Sequence, residues 1–160
     1  MKTMVKAFVL GILTYLPFAA SAQPATPAAT LPDSVWLQCP LDEARLVPPP
    51  KNVIHYDEPD LCILLVSKPD TVVKACIGGK VTNVEQTDDG KWDVVFYYKD
   101  YYFWYSGLSK AVVRRNDVVK VGQPVGYINQ GDKVEMLLYK FETQLDPTRF
   151  LSCKSILAKD

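Results

Sequence analysis

The sequence predicts an all-β domain whose short antiparallel strands pack as two sheets. In the region 105–126, valine-rich runs alternate with turn signals at Asn116-Asp117 and at Gly122-Gln123-Pro124. Closely spaced turns between β-branched runs are typical of strands that fold back on one another. Valine, glycine and proline also oppose a long helix, and no amphipathic helical pattern of any length precedes residue 146.

The N-terminal residues 1–22 have the pattern of a signal peptide. Lys2 and Lys6 precede an apolar run over residues 7–20, and Ala20-Ser21-Ala22 is a small-residue cleavage signal. The run is short of the ~20 apolar residues that a membrane span needs, so we expect export and no transmembrane span after cleavage. Cleavage removes two of the 18 basic residues and none of the 18 acidic ones, and the resulting acidic excess opposes nucleic-acid binding.

The sequence divides into an arm and a body after the signal peptide. Residues 23–33 are rich in proline, alanine and threonine and are predicted to be a disordered linker. Residues 34–60 are predicted to be an extended N-terminal arm, because Pro48-Pro49-Pro50 opposes both a helix and a central strand. Residues 61–160 are predicted to form the β domain.

The strands of the body can be assigned in order. Residues 61–66 form an apolar run, residues 68–71 form a proline-containing turn, and residues 72–77 form the returning strand of a predicted hairpin. Further strands are predicted at residues 80–85, 92–96, 101–105 and 134–139. Asp146 as a cap and Pro147 at the first helical position predict a short C-terminal helix.

The chain has four cysteines, and an even number in an exported protein predicts disulfides. The absence of Cys-x-x-Cys spacing opposes a zinc ribbon or a thioredoxin-type site. We favour a Cys62–Cys76 bond, which would flank the predicted hairpin, and a Cys39–Cys153 bond, which would tie the arm to the tail. Four buried free thiols are the alternative.

Aromatic side chains are concentrated at residues 96–98 and 101–105. Successive residues of a strand point to opposite faces of the sheet, so about half of these rings must belong to the core. The outward rings have two interpretations, as further packing or as a platform that stacks on a base or a sugar.

Between residues 61 and 151 the chain resembles the LytM/lysostaphin-type zinc metallopeptidases, which cleave peptidoglycan cross-bridges and stem peptides. Four segments are similar to family motifs in the correct order: Asp70-Thr71-Val72-Val73-Lys74-Ala75 with Gly79-Lys80-Val81, then Tyr105-Ser106-Gly107-Leu108-Ser109, then Val119-Lys120-Val121-Gly122-Gln123-Pro124-Val125-Gly126, then Asp146-Pro147 with Phe150-Leu151. The resemblance implies a barrel-sandwich hybrid fold.

The catalytic positions of the family do not match. The family binds zinc through His-x-Gly-x-Asp and through the second histidine of His-x-His, and counting from the matched motifs places Asp60 and Leu64, then Lys133 and Glu135, at these positions. Gly107 stands where Tyr-x-His-Leu has its histidine. His55 is the single histidine of the chain, and in its polar segment we interpret it as a loop side chain.

These departures predict no zinc, no other cofactor, no catalytic residues and no peptidase activity. A catalytic zinc needs three protein ligands and an open position for water, whereas leucine cannot ligate and a lysine ammonium repels the metal. What remains is a candidate groove for binding, which we define by its predicted residues: Asp60, Leu64, Trp104, Tyr105, Gly107, Lys133 and Glu135.

The resemblance therefore implies a periplasmic or extracellular pseudopeptidase that binds cell-wall peptide or an envelope protein, for example a wall hydrolase. One alternative is a peptidoglycan metallopeptidase with an atypical site, and another is a purely structural envelope protein. A third is a lipoyl- or biotin-carrier-like domain, since residues 116–125 and 131–136 resemble the lipoyl pattern with Lys133 as the modified lysine. Export opposes a carrier domain, because lipoylation happens in the cytoplasm. The Asp146-Pro147 tail also opposes it, because carrier domains lack this tail.

Overall fold

The structure, a computed structural model, describes residues 36–47 and 61–153. The predictions for the signal peptide and the linker, and those for His55 and Asp60, lie outside the described residues. Within the described ranges, no helix is long and apolar enough to cross a membrane.

Two antiparallel sheets make up the body, as the all-β prediction requires. The larger sheet has the order β1-β2-β10-β6-β5-β4-β8, with β11 also paired to β10, and the smaller sheet has the order β3-β9-β7. The strands are β1 (Arg45–Val47), β2 (Ile63–Val66), β3 (Val72–Lys74), β4 (Gly79–Gln86), β5 (Trp92–Tyr98), β6 (Tyr101–Leu108), β7 (Lys110–Ala111), β8 (Val118–Val119), β9 (Pro124–Tyr127), β10 (Lys133–Lys140) and β11 (Thr143–Leu145).

The core lies against the inner face of the larger sheet, and alternation along each central strand produces it. On β6, Phe103 and Tyr105 are buried, whereas Tyr102 and Trp104, which alternate with them, are exposed. Phe96 of β5 stacks on Phe103 at 5.2 Å and meets Tyr105 edge-on at 5.4 Å between ring centroids. Full burial of such a side chain stabilises the fold by about 1.5–3 kcal/mol, so this alternation fixes which face points inward.

The predicted hairpin over residues 61–77 is wrong. β2 pairs with β1 and β10 in the larger sheet, whereas β3 pairs with β9 in the smaller one. The connection between them is held in place by Ser67, whose hydroxyl donates to the Asp42 carbonyl at 2.7 Å and accepts from the Asp70 backbone N–H at 3.1 Å. The chain therefore crosses from one sheet to the other instead of folding back.

The crossing of the chain from the larger to the smaller sheet excludes one of the two predicted disulfides. Cys62 and Cys76 do not form the predicted disulfide, because the strands beside them are not paired with each other. The Cys39–Cys153 disulfide is confirmed, with 4.8 Å between the Cα atoms. Around it, the Leu37 backbone N–H donates to the Phe150 carbonyl at 2.7 Å, so the arm and the tail meet as predicted.

The predicted C-terminal helix is only one 3-10 turn, Pro147–Arg149. Its start is as expected, since the Asp146 carboxylate accepts from the backbone N–H of Thr148 at 2.9 Å. The turn cannot continue as an α-helix, because Leu151 bridges to Leu37 and the chain enters the disulfide two residues later.

Candidate functional site

The outer face of the larger sheet carries the candidate groove. Alternation on β2, β6 and β10 turns one set of side chains away from the core, and the members of that set are half-buried or exposed. Three rows of neighbours run across it: Leu64–Glu135–Ser106, then Leu137–Trp104–Val95, then Tyr139–Tyr102–Tyr97.

Four of the predicted groove residues share this face. Leu64 lies directly opposite Glu135 on the neighbouring strand, Lys133 is two residues before Glu135, and Trp104 lies in the next row. Glu135 and Leu64 are half-buried, whereas Lys133 is exposed. The residues that were counted from separate motifs therefore converge, except for Asp60, which the structure does not describe.

Tyr105 was predicted for the groove but lies on the opposite side of the sheet. It is fully buried, and its phenol oxygen accepts a hydrogen bond from the Cys76 backbone N–H at 3.0 Å. Burial raises the pKa of Tyr105 well above its usual value and raises the pKa of the Cys76 thiol to about 12. Tyr105 therefore anchors the larger sheet to the loop after β3 and cannot contact a ligand in the groove.

Gly107 occupies a β-bulge at the end of β6. Between the pairs Trp92–Leu108 and Val94–Tyr105, β6 contains one residue more than β5. Gly107 absorbs the difference with φ +85°, and a Cβ placed there would lie 3.1 Å from the Lys133 carbonyl oxygen. Only glycine adopts this backbone readily, so the position of the family's histidine has a conformation that disfavours any side chain.

An ion pair borders the groove beside Gly107. The Lys91 ammonium, which follows the β4–β5 turn, lies 2.6 Å from Asp132, which precedes β10. Lys91 and the amide of Asn129 lower the pKa of Asp132, and Lys91 shares a small cavity of about 370 Å³ with Gly107. Both partners are about one-third exposed, so the pair ties two loops together more than it stabilises the fold.

Asp93 is a site residue that the sequence reasoning missed. It is 5% exposed, and its Oδ2 accepts a hydrogen bond from the Trp104 indole N–H at 2.9 Å. Its Oδ1 is buried and has no hydrogen-bond partner among residues 36–47 and 61–153. An acidic residue between Trp92 and Val94, in the middle of an otherwise apolar strand, was the available signal.

A cavity of about 910 Å³ lies beside the arm. Its lining includes Leu41 and Arg45 of the arm with Val66 and Pro69 of the body, and it contains none of the predicted groove residues. We place the candidate site on the outer face because Leu64, Lys133 and Glu135, which were counted from separate motifs, are neighbours there, whereas cavity size alone carries no chemistry.

No family model matches the sequence, and no curated protein matches it significantly. Solved structures do match. Csd3 of Helicobacter pylori superposes with a TM-score of 0.60 at 17% identity over 72% of this chain and 34% of that chain. A chain of the SpoIIQ–SpoIIIAH pore-forming complex has a TM-score of 0.56 at 18% identity, covering 72% and 90%. LytU has a TM-score of 0.50 at 25% identity, covering 59% and 74%.

The chain has the LytM/lysostaphin-type fold. The similarity confirms the fold implied by the sequence motifs, while this chain spans only about a third of the length of Csd3. With less than 25% identity to two of the three structures, the fold is what these matches establish.

The side chains on the outer face do not fit the zinc site of the LytM type. The row Leu64–Glu135–Ser106 offers a hydrocarbon, one carboxylate and one hydroxyl, and Lys133 beside it adds a positive charge. Within residues 36–47 and 61–153, no group of three or more His, Cys, Asp or Glu side chains could hold a metal ion. Three ligands around an open water position cannot be assembled from this set, so we derive no catalytic step through zinc.

Proposed function

We propose that the protein is an exported, non-catalytic LytM-type domain that binds the peptide part of peptidoglycan along its outer face. The observation that carries the proposal is the row Leu64–Glu135–Ser106, in which Leu64 and Glu135, which the motif resemblance aligns with the family's zinc ligands, are neighbours without forming a set of metal ligands. A surface that has lost the metal ligands can still bind peptidoglycan, the polymer that active enzymes with this fold cleave.

The chemistry of this face suits a peptide that carries both charges. Glu135 supplies a half-buried carboxylate, and Lys133 supplies an exposed ammonium two residues away on the same strand. Wall peptides carry free carboxylates and amines, and a hydrogen bond to a charged group contributes about 1.5–3 kcal/mol. The Ser106 hydroxyl between β10 and β5 offers a neutral partner for a peptide amide.

The test is co-sedimentation of the purified mature protein with peptidoglycan sacculi. We expect Glu135→Gln and Lys133→Ala each to weaken binding by about tenfold, whereas Glu142→Gln, which changes an exposed charge on the β10–β11 turn, should leave it unchanged. Sacculus binding that neither substitution reduces would reject the groove as the binding site.

A protein partner in the cell envelope is the second candidate. The match to a chain of the SpoIIQ–SpoIIIAH complex covers 90% of that chain, so nearly all of a chain from a protein assembly corresponds to this fold. Trp36, which is 64% exposed at the start of the arm, offers an anchor of the type found at the centre of protein interfaces. A reconstituted complex that Trp36→Ser weakens, with no sacculus binding by either variant, would favour this candidate.

The carrier alternative has less support. Carrier domains present the modified lysine on an exposed turn, whereas Lys133 is the first residue of β10 and is paired with Val66 of β2. The turn itself is formed by residues 129–132, where the Asp132 backbone N–H donates to the Asn129 carbonyl. The intact mass of the purified protein tests this alternative, because a lipoyl or biotinyl adduct would add a fixed mass.

A further inference from the structure

Three tyrosines form a row across the outer face, beyond the groove. Tyr139 of β10, Tyr102 of β6 and Tyr97 of β5 are direct neighbours in the strand register, and we call them the tyrosine row. The rings of Tyr97 and Tyr102 lie 6.1 Å apart between centroids and are inclined by 31°. Trp104 lies in the adjacent row, on the side of the groove.

Exposure separates these rings from the packing rings of the same strands. Phe103 and Tyr105 of β6 are fully buried, whereas Tyr102 is 40% exposed and Trp104 is 37% exposed. Tyr97 and Tyr139 on either side of Tyr102 are half-buried, so the four rings lie together on one face and are at least partly open to solvent. The peptide contacts proposed above, to Glu135, Lys133 and Ser106, use neither the tyrosine row nor the Trp104 indole.

Asp93 supplies an independent sign of a ligand. Its Oδ2 fixes the Trp104 indole, and its buried Oδ1 is without a hydrogen-bond partner in the described part of the chain. A buried acceptor that is left unpaired costs free energy of folding, and a hydroxyl or amide of a bound ligand would supply the missing donor. A carboxylate attracts hydroxyl and amide donors and repels phosphate, which favours a sugar over a nucleic acid.

We propose that the tyrosine row and Trp104 bind the sugar rings of the peptidoglycan glycan strand, with Asp93 accepting a hydrogen bond from a sugar hydroxyl or N-acetyl amide. The C–H face of a pyranose ring is apolar and weakly electropositive, and it complements the electron-rich face of an aromatic ring. The inference rests on the proposed function, because it assigns the glycan to one end of the outer face and the peptide to the other.

The test measures how tightly the mature protein binds three purified ligands: intact sacculi, glycan strands stripped of peptide, and soluble stem peptides. Calorimetry and tryptophan fluorescence measure binding. We expect glycan strands to bind and to shift the fluorescence of the wild type, and Trp104→Phe to remove most of that shift. Tyr102→Ala should weaken glycan binding by roughly three- to tenfold without changing peptide binding.

The matched control is Tyr127→Ala, which removes a ring that is 38% exposed on β9 of the smaller sheet. It should leave glycan affinity unchanged. Tyr102→Leu, which keeps apolar bulk but removes the π face, should reproduce the loss if Tyr102→Ala does not fold.

Three outcomes separate the inference from the function on which it rests. Binding of sacculi and peptides without binding of stripped glycan would overturn the inference and leave the proposed function standing. Glycan binding that survives both Tyr102 substitutions would overturn it as well. Failure to bind any of the three ligands would reject the proposed function and the inference together.

Discussion

At the scale of single residues, Asp70 shows how one carboxylate joins the arm to the body. Its Oδ1 accepts from the Val72 backbone N–H at 2.9 Å, and its Oδ2 accepts from the Asp42 backbone N–H at 2.8 Å. Burial alone would raise the pKa of Asp70, but these two N–H groups and the Lys74 ammonium hold it below the ordinary value of 3.8. The charged form therefore stabilises the fold.

This arrangement predicts an acid-dependent loss of stability. A carboxylate whose pKa is lowered by folding contributes fully above its unfolded pKa of about 3.8, and the contribution disappears as the pH falls through the lower folded pKa. Asp70→Asn should cost about 1–2 kcal/mol in the free energy of unfolding at pH 7 and should flatten its dependence on pH below about 4. Urea titrations between pH 2 and 7 measure this, with the exposed Asp88→Asn as the control. An equally steep acid limb in Asp70→Asn would contradict the account.

At the scale of the element, the bulge on β6 determines the candidate site. It inserts Gly107 opposite β5 with φ +85°, and a Cβ added there would lie 3.1 Å from the Lys133 carbonyl oxygen. A histidine at position 107 would either need a different backbone conformation or be strained by the positive φ.

Gly107→Ala tests this reading of the bulge, with Gly131→Ala as a matched control. Gly131 also has a positive φ, +83°, but an added Cβ would meet nothing within 4 Å. Both substitutions should destabilise the protein by about 1–2 kcal/mol because of the left-handed backbone. Gly107→Ala should cost more, since its Cβ would also approach the Lys133 oxygen at 3.1 Å. Equal losses in chemical denaturation would show that the close approach carries no cost.

Element by element, the strand pattern was predictable, whereas the pairing of β2 and β3 was not. Period-two alternation and turn residues identify strands locally, but nothing between Val66 and Val72 shows which sheet the returning strand joins. The same limit applies to the site. Alternation implies that Trp104 and Tyr105 face opposite sides, yet only the packed structure shows that Tyr105 is the inner one. Asp93 escaped prediction because its partner, Trp104, lies on the neighbouring strand.

At the scale of the whole molecule, the arm and the tail close the β body as a pair. Cys39 and Cys153 are 114 residues apart, and the backbone of Leu37 bonds to both Phe150 and Ser152 beside them. A cross-link over so long a loop removes much of the entropy of the unfolded chain. This long-range bond was predictable from the cysteine positions and the expectation of export, without any local structural signal.

Removing this bond should lower stability substantially. Cys153→Ser, or reduction of the wild type, should cost about 3–5 kcal/mol in the free energy of unfolding. Thermal unfolding with and without reductant measures the effect, and reductant should not affect Cys153→Ser further. An unchanged melting temperature on reduction would show that the arm and tail contacts hold the fold without the disulfide.

We propose that this protein, which has the LytM-type fold, recognises peptidoglycan without cleaving it. The most direct test incubates the purified mature protein with sacculi, with added zinc or with a chelator, and measures both the bound fraction and the fragments released into solution by mass spectrometry. The account predicts that the protein sediments with the sacculi to the same extent under both conditions and releases no peptide or muropeptide. Release of cleaved fragments that stops with chelator and returns with added zinc would contradict it.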